Sequence, residues 1–161
     1  MGKRLIILCG AWMTIAAVGL SQAAFGVSGA DTILARQASL DMSSITFRSM
    51  VDAMKAGREA KSQGYQAVVL AKWAKALPQM FPAGSGQGET SVRTQALPLI
   101  WRDRPGFALA ASNYVDATSR LAALAAANDT QGFTAQLEKV DQACGSCHAR
   151  FKEGAQGPPK R

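Results

Sequence analysis

Histidine and cysteine are scarce in this chain, with one histidine and three cysteines among 161 residues. The scarcity excludes several designs. A structural zinc site takes four ligands, and Cys9 lies in an N-terminal stretch that reads as a leader. The other two cysteines, Cys144 and Cys147, are three positions apart, so no disulfide framework staples the fold. No acid–base or nucleophile constellation stands out, and an enzyme is not expected. Alternating apolar and polar segments are missing, which leaves no candidate strands. A dense Lys/Arg run is missing too. The net charge of +7 is spread along the chain, which does not suit nucleic acid. Most of that excess reads as solvated surface. It also suits an acidic partner protein or anionic lipid.

One long apolar run is present, from Leu5 to Leu20, behind Lys3 and Arg4 and ahead of Ser21-Gln22-Ala23. A charged start, an apolar stretch and small residues at its end describe a secretory signal peptide. Cleavage is expected after Ala23, with Ala30 as the second choice. The run falls short of the roughly 20 residues that span a bilayer, so no membrane attachment is expected after cleavage. Residues 24–161 suit one domain, exported to the periplasm.

The remainder reads as helices. Ser28 or Asp31 can cap a first one. Ile33, Leu40, Phe47 and Met54 then recur at seven-residue spacing, with Gln37, Ser44 and Val51 at the alternate seam positions. Polar residues in that seam leave two readings, Arg36 and Gln37 facing something polar or Arg36 as a plain surface residue, and periodicity alone favours the second. A second helix is expected from about Tyr65, with Val69, Trp73, Ala76 and Leu77 as its apolar stripe and Pro78 as its end. Phe81 to Pro98 is rich in Gly and Pro and predicts a long loop, either mobile or wrapped over something. Trp101 is expected in the core or in a pocket wall. A third helix should start at Pro105 and bury Phe107, Ala110, Tyr114, Ala117, Leu121 and Leu124. Asn128 and Asp129 break and recap the chain. A fourth helix carries Phe133, Leu137, Val140, Cys144 and Phe151 on one face. Four amphipathic helices and no strands predict an all-α, antiparallel four-helix bundle.

Within the fourth helix stands Cys144-Gly145-Ser146-Cys147-His148. C-x-x-C-H is a c-type haem attachment signature. Each thiol adds to one porphyrin vinyl group, so the two sulfurs must reach one edge of the ring. On a helix they lie about a turn apart on one face, and His148, four residues after Cys144, shares it. Its imidazole can ligate the iron. A redox disulfide or half a zinc site is the competing reading of C-x-x-C. With one histidine in the chain, bis-histidine ligation within a subunit is excluded.

A C-terminal C-x-x-C-H on the last helix of an exported four-helix bundle resembles the class II cytochromes c, chiefly cytochrome c′. Cys144–His148 with Phe151 and Lys152 carries the resemblance. So do Arg36-Gln37 with Leu40 in helix one, and Leu77-Pro78, the glycine-rich loop and Ile100-Trp101. The resemblance implies one covalently attached haem c per chain. It implies that Arg36 and Gln37 lie near a haem propionate, that Leu40 packs over the open face of the iron, and that Lys152 lies on the proximal side. Met42 is about 200° around the helix from Leu40 and should point away. The expected function is a periplasmic haem protein that transfers electrons to or from a partner protein, with a five-coordinate iron able to bind NO or CO. A low-spin carrier with a Met/His-ligated iron is the alternative. A structural or zinc-binding bundle without haem is more remote. Dimers are common in the family, and the outer faces of helices one and two are the surface that could form one.

Overall fold

The computed structural model describes residues 26–154. The expected leader, residues 1–23, and the Lys160–Arg161 tail lie outside the described residues. Four long helices follow one another: α1 (Gly29–Lys55), α2 (Gly64–Ala76), α3 (Arg104–Ala126) and α4 (Thr130–Phe151). Single helical turns at Ala60–Gln63, Leu77–Met80 and Leu99–Arg102 punctuate the connections. Among the described residues the only β pairing is an isolated antiparallel bridge between Ala96 and Lys152. The result is the expected four-helix bundle.

Local chemistry sets the helix starts. The Ser28 hydroxyl accepts the Asp31 N–H at 3.1 Å and caps α1. The Asp103 carboxylate accepts from the Gly106 N–H at 3.0 Å, with Pro105 in the first turn of α3. Asp129 does the same for α4, accepting from Gly132 at 2.8 Å. Each such side chain satisfies a backbone donor that the helix itself cannot. Asn128, in the left-handed region at φ 53°, makes the reversal between α3 and α4. Pro78 stops α2 at Ala76 and leaves one tighter turn, Leu77–Met80.

α3 is the central helix, packed along its length against α2 and α4. Phe107, Tyr114, Leu121 and Leu124 of α3 meet Phe133, Leu137 and Val140 of α4 and Leu70 and Ala74 of α2 in one core. The buried face of α2 differs from the expected one. Ala67, Leu70, Ala71 and Ala74 face inward, and Val69 and Ala76 are exposed. Small alanines let α2 approach α3 closely, so the larger residues do not mark its inner side. In α3, Ala111 and Thr118 are buried more completely than Ala110 and Ala117. Thr118 is tolerated there because its hydroxyl donates to the Tyr114 carbonyl at 2.8 Å.

In α1 the seam departs from a closed bundle. Ile33 and Met50 are buried, whereas Leu40 and Phe47 are only partly covered because they border a cleft. The core at the opposite end is well filled. Truncating Leu121, which is fully buried, to alanine is expected to destabilise the protein by about 2–5 kcal/mol. A chemical denaturation curve checks this as a lower midpoint at unchanged slope.

Candidate haem cleft

The cleft has a volume of about 810 Å³ and lies between α1 and the C-terminal half of α4. One wall is Gln37, Leu40, Ser44 and Phe47 of α1. The other carries Cys144, Cys147 and His148. Phe107, Ala111 and Tyr114 of α3 form its floor, and Phe81, Thr94 and Ala96 close one end. All seven residues singled out in the sequence, from Arg36, Gln37 and Leu40 to Cys144, Cys147, His148 and Lys152, border this one space.

Helical phase places the wall residues. Leu40 borders the cleft, while Met42 is 68% exposed on another side of α1. A rotation of about 200° over two residues accounts for the difference. No methionine is among the cleft-lining residues described, and His148 is their only histidine.

Lys152 borders the cleft from just beyond the end of α4. α4 ends at Phe151, and Lys152 adopts extended backbone (φ −120°, ψ 131°) in place of a further helical turn. Its N–H still donates to the His148 carbonyl at 3.0 Å, and it pairs with Ala96 of the long connection. Arg36 borders the cleft and also reaches into the loop. It is 2% exposed, and its terminal nitrogens donate to loop oxygens. Gln37 donates to the Arg93 carbonyl at 2.9 Å. The first turns of α1 therefore hold the connection between α2 and α3, which wraps over the bundle.

Aromatic rings line one end in a chain that sequence periodicity did not join. Phe81, Phe107 and Phe151 meet edge to face, with centroids 4.9 and 5.4 Å apart. Trp101 packs behind Phe81 at 6.3 Å and donates its indole N–H to the Pro82 carbonyl. Phe107 and Phe151 fall on the inner stripes read from the sequence. Phe81 stands in the irregular stretch, where no period signals burial.

Electrostatics around the motif follow from burial. Burial pushes the Cys144 thiol up to about 11, with Asp141 and Cys147 adding to the rise. Burial also pushes Cys147 up. His148 is held below the usual imidazole value by desolvation first and by the nearby Lys152 charge second. The Tyr114 phenol is raised well above its ordinary value, by burial first and by the charge of Cys144 second.

The donor set fits a covalently held haem. Two thiols and an imidazole border one side of a cleft in the size range of cofactor pockets. Apolar Leu40 and Phe47 face them from α1. A second hollow of about 490 Å³ between α3 and α4, bordered by Asn113, Asp116, Gln136 and Lys139, has no such donors. Residues 31–152 match the family described as cytochrome C′.

The chain belongs to the cytochrome c′ family. Haem c with its iron, covalently attached, is that family's cofactor, one for the one motif here. Cytochrome c-554 of Cereibacter sphaeroides is 32% identical over 102 residues, 63% of this chain and 61% of that protein. Cytochrome c′ of Rhodospirillum rubrum is 31% identical over 86 residues, 53% of this chain and 56% of that one. Each alignment thus spans less than two thirds of the relative's length. The crystal structure of cytochrome c′ from Rubrivivax gelatinosus superposes with a TM-score of 0.70 at 27% identity. That superposition covers 78% of this chain and 98% of the other.

In this cytochrome c′ family member the two tyrosines make an internal contrast, since Tyr65 is 81% exposed and Tyr114 is buried. A raised folded-state value means that the folded protein keeps the Tyr114 proton after the unfolded chain has lost it. Stability is therefore intact below the ordinary value of 10 and declines as pH rises through it. A tyrosine titration followed by NMR is expected to show Tyr114 ionising only as the fold is lost.

Proposed function

We propose that this chain is an exported, periplasmic electron-transfer protein whose haem iron keeps one axial position free for NO or CO. The observation that carries the reading is the pairing of Leu40 in the cleft wall with Met42 on an outer side of α1. His148 is then the one axial ligand that the described lining supplies. Cys144 and Cys147 would hold the haem covalently, and His148 would ligate its iron. Bound there, the haem supplies a one-electron ferric–ferrous couple and an iron coordination site.

The chain's own residues shape the rest. Leu40 and Phe47 present apolar surface that disfavours water, which suits small and weakly polar diatomic ligands. Gln37 and Ser44 make the same α1 wall polar at intervals, where propionate carboxylates would find donors. Lys152 places a positive charge beside His148. Export rests on the leader pattern read in residues 1–23. No described helix is long and apolar enough to cross a membrane. Cleavage after Ala23 would leave the Ser28 cap of α1 in place, whereas cleavage after Ala30 would remove it.

An apolar stripe on α1 supports a homodimer. Leu34, Met42 and Ile45 are 54%, 68% and 66% exposed, and their spacing of eight and three places them on one face. Tyr65, Val68 and Val69 of the neighbouring α2 are exposed as well. A second copy presenting the same face would cover both sets.

Absorption spectra of the mature protein, oxidised and reduced, with and without CO, test the iron site. A high-spin ferric spectrum and a ferrous CO adduct are expected, and Met42→Ala should leave both unaltered. A low-spin spectrum indifferent to CO would sink the open-site reading. For the dimer, Ile45→Glu is expected to convert the protein to monomer in sedimentation velocity with its spectrum intact. A wild-type protein that already sediments as monomer refutes the dimer reading.

A further inference from the structure

Arg36 is a buried cation whose acceptors among the described residues are all neutral. One terminal nitrogen donates to the Met80 carbonyl at 3.0 Å and to the Ser85 hydroxyl at 3.1 Å. The other donates to the Ser85 carbonyl at 2.9 Å and to the Thr94 hydroxyl at 3.0 Å. Its guanidinium also lies 4.4 Å over the Phe81 ring. Burying a charge among neutral groups is costly unless its donors find acceptors, and here four contacts serve the two terminal nitrogens.

All four acceptors belong to one segment, the connection between α2 and α3. They stand 44 to 58 residues from Arg36 in sequence, so the side chain gathers both limbs of a long loop. Gly29 adds a close approach, because a Cβ there would meet the Gly84 carbonyl at 2.0 Å. Beyond Thr94 the same segment turns to the end of α4. The Leu97 N–H donates to the Phe151 carbonyl at 3.0 Å, and the Glu153 N–H donates to the Gln95 carbonyl at 2.8 Å. The Gln87 amide reaches the Glu153 carboxylate at 3.0 Å. Three residues before Phe151 is His148, whose carbonyl accepts from Lys152. A continuous hydrogen-bonded path therefore runs from α1, over the strap of residues 81–97, to the backbone of His148.

We propose that Arg36 is a positioning residue of the haem site: by fastening the strap to α1 it braces the Phe151–Glu153 segment and so fixes His148. The haem role of His148 is the reading given under Proposed function, and this inference rests on it. The planar fork is what the role needs. Its four terminal N–H groups point in fixed directions, whereas a lysine ammonium is a compact charge that cannot reach the same set of oxygens. The role differs from countering a propionate, for which a positive charge alone would serve in large part.

Hydrogen exchange of the haem-loaded protein reads the brace directly. Arg36→Met and Arg36→Lys are both expected to speed exchange at the Leu97 and Glu153 amides by about tenfold or more, the loss of a charge-assisted bond network being amply large enough. The Leu121 and Val140 amides should be unaffected. The iron–histidine stretching band in the resonance Raman spectrum of ferrous protein should shift or broaden in both variants. If Arg36→Lys restores wild-type exchange and band, charge and not the fork is at work, and the proposal fails. It fails equally if faster exchange stops at residues 83–94. Should Arg36→Met not fold, Ser85→Ala and Thr94→Val each remove one acceptor and should give the same pattern more weakly. Wild-type exchange at Leu97 and Glu153 in both would overturn the brace. Haem staining of wild-type protein on a denaturing gel tests the haem reading separately, because a colourless band would refute that reading whatever the exchange data show.

Discussion

A four-helix bundle cannot both close its seam and keep a gap of about 810 Å³ beside it. The rest of this structure follows from that conflict. α3 takes the central place and joins α2 and α4 through a filled core. α1 is left with Leu40 and Phe47 facing open space where partner side chains would stand in a plain bundle. Apolar burial along the seam is the usual glue of such helices, and here α1 gives up part of it. The strap over its first turns supplies hydrogen bonds in its place, through Arg36 and Gln37.

The cleft is chemically two-sided. One wall offers two thiols and an imidazole with a lysine alongside, and the other offers leucine, phenylalanine and a few neutral polar groups. Membership of the cytochrome c′ family gives that division a meaning, because a covalent haem is attached from one side and enclosed from the other. The attachment side is local, since about two consecutive turns at the end of one helix and the residue after it provide everything. The enclosing side is assembled from α1, the strap and α3, which are far apart in sequence.

That difference governs what could be read in the chain beforehand. Cys144–His148 is a contiguous signal, and Ser28, Pro105 and Asp129 sit where helix starts demand them, so helix order and the attachment face were legible. Leu40 against Met42 was legible too, since helical geometry fixes their relative phase. The inner face of α2 was not, because alanines packed against α3 give no contrast in hydrophobic size. Lys152 borders the cleft beside His148, but that the helix stops just before it was not legible. Pairing with Ala96, 56 positions earlier, decides that. Ser85 and Thr94 lie in a polar stretch without period, and only their long-range partner, Arg36, gives them a role.

The separations bridged by Arg36 bear on the order of folding. Helix pairs joined by short turns, such as α3 and α4, need little chain closure and form early. Bringing Ser85 and Thr94 to Arg36 closes loops of 49 and 58 residues and pays its entropy before any bond is gained. The strap is thus the late piece, and its docking completes the wall around Phe81, Thr94 and Ala96. A chain built this way has its cysteine-bearing helix in place while one end of the cleft still stands open, which is the interval in which a bulky, flat guest could slide in sideways.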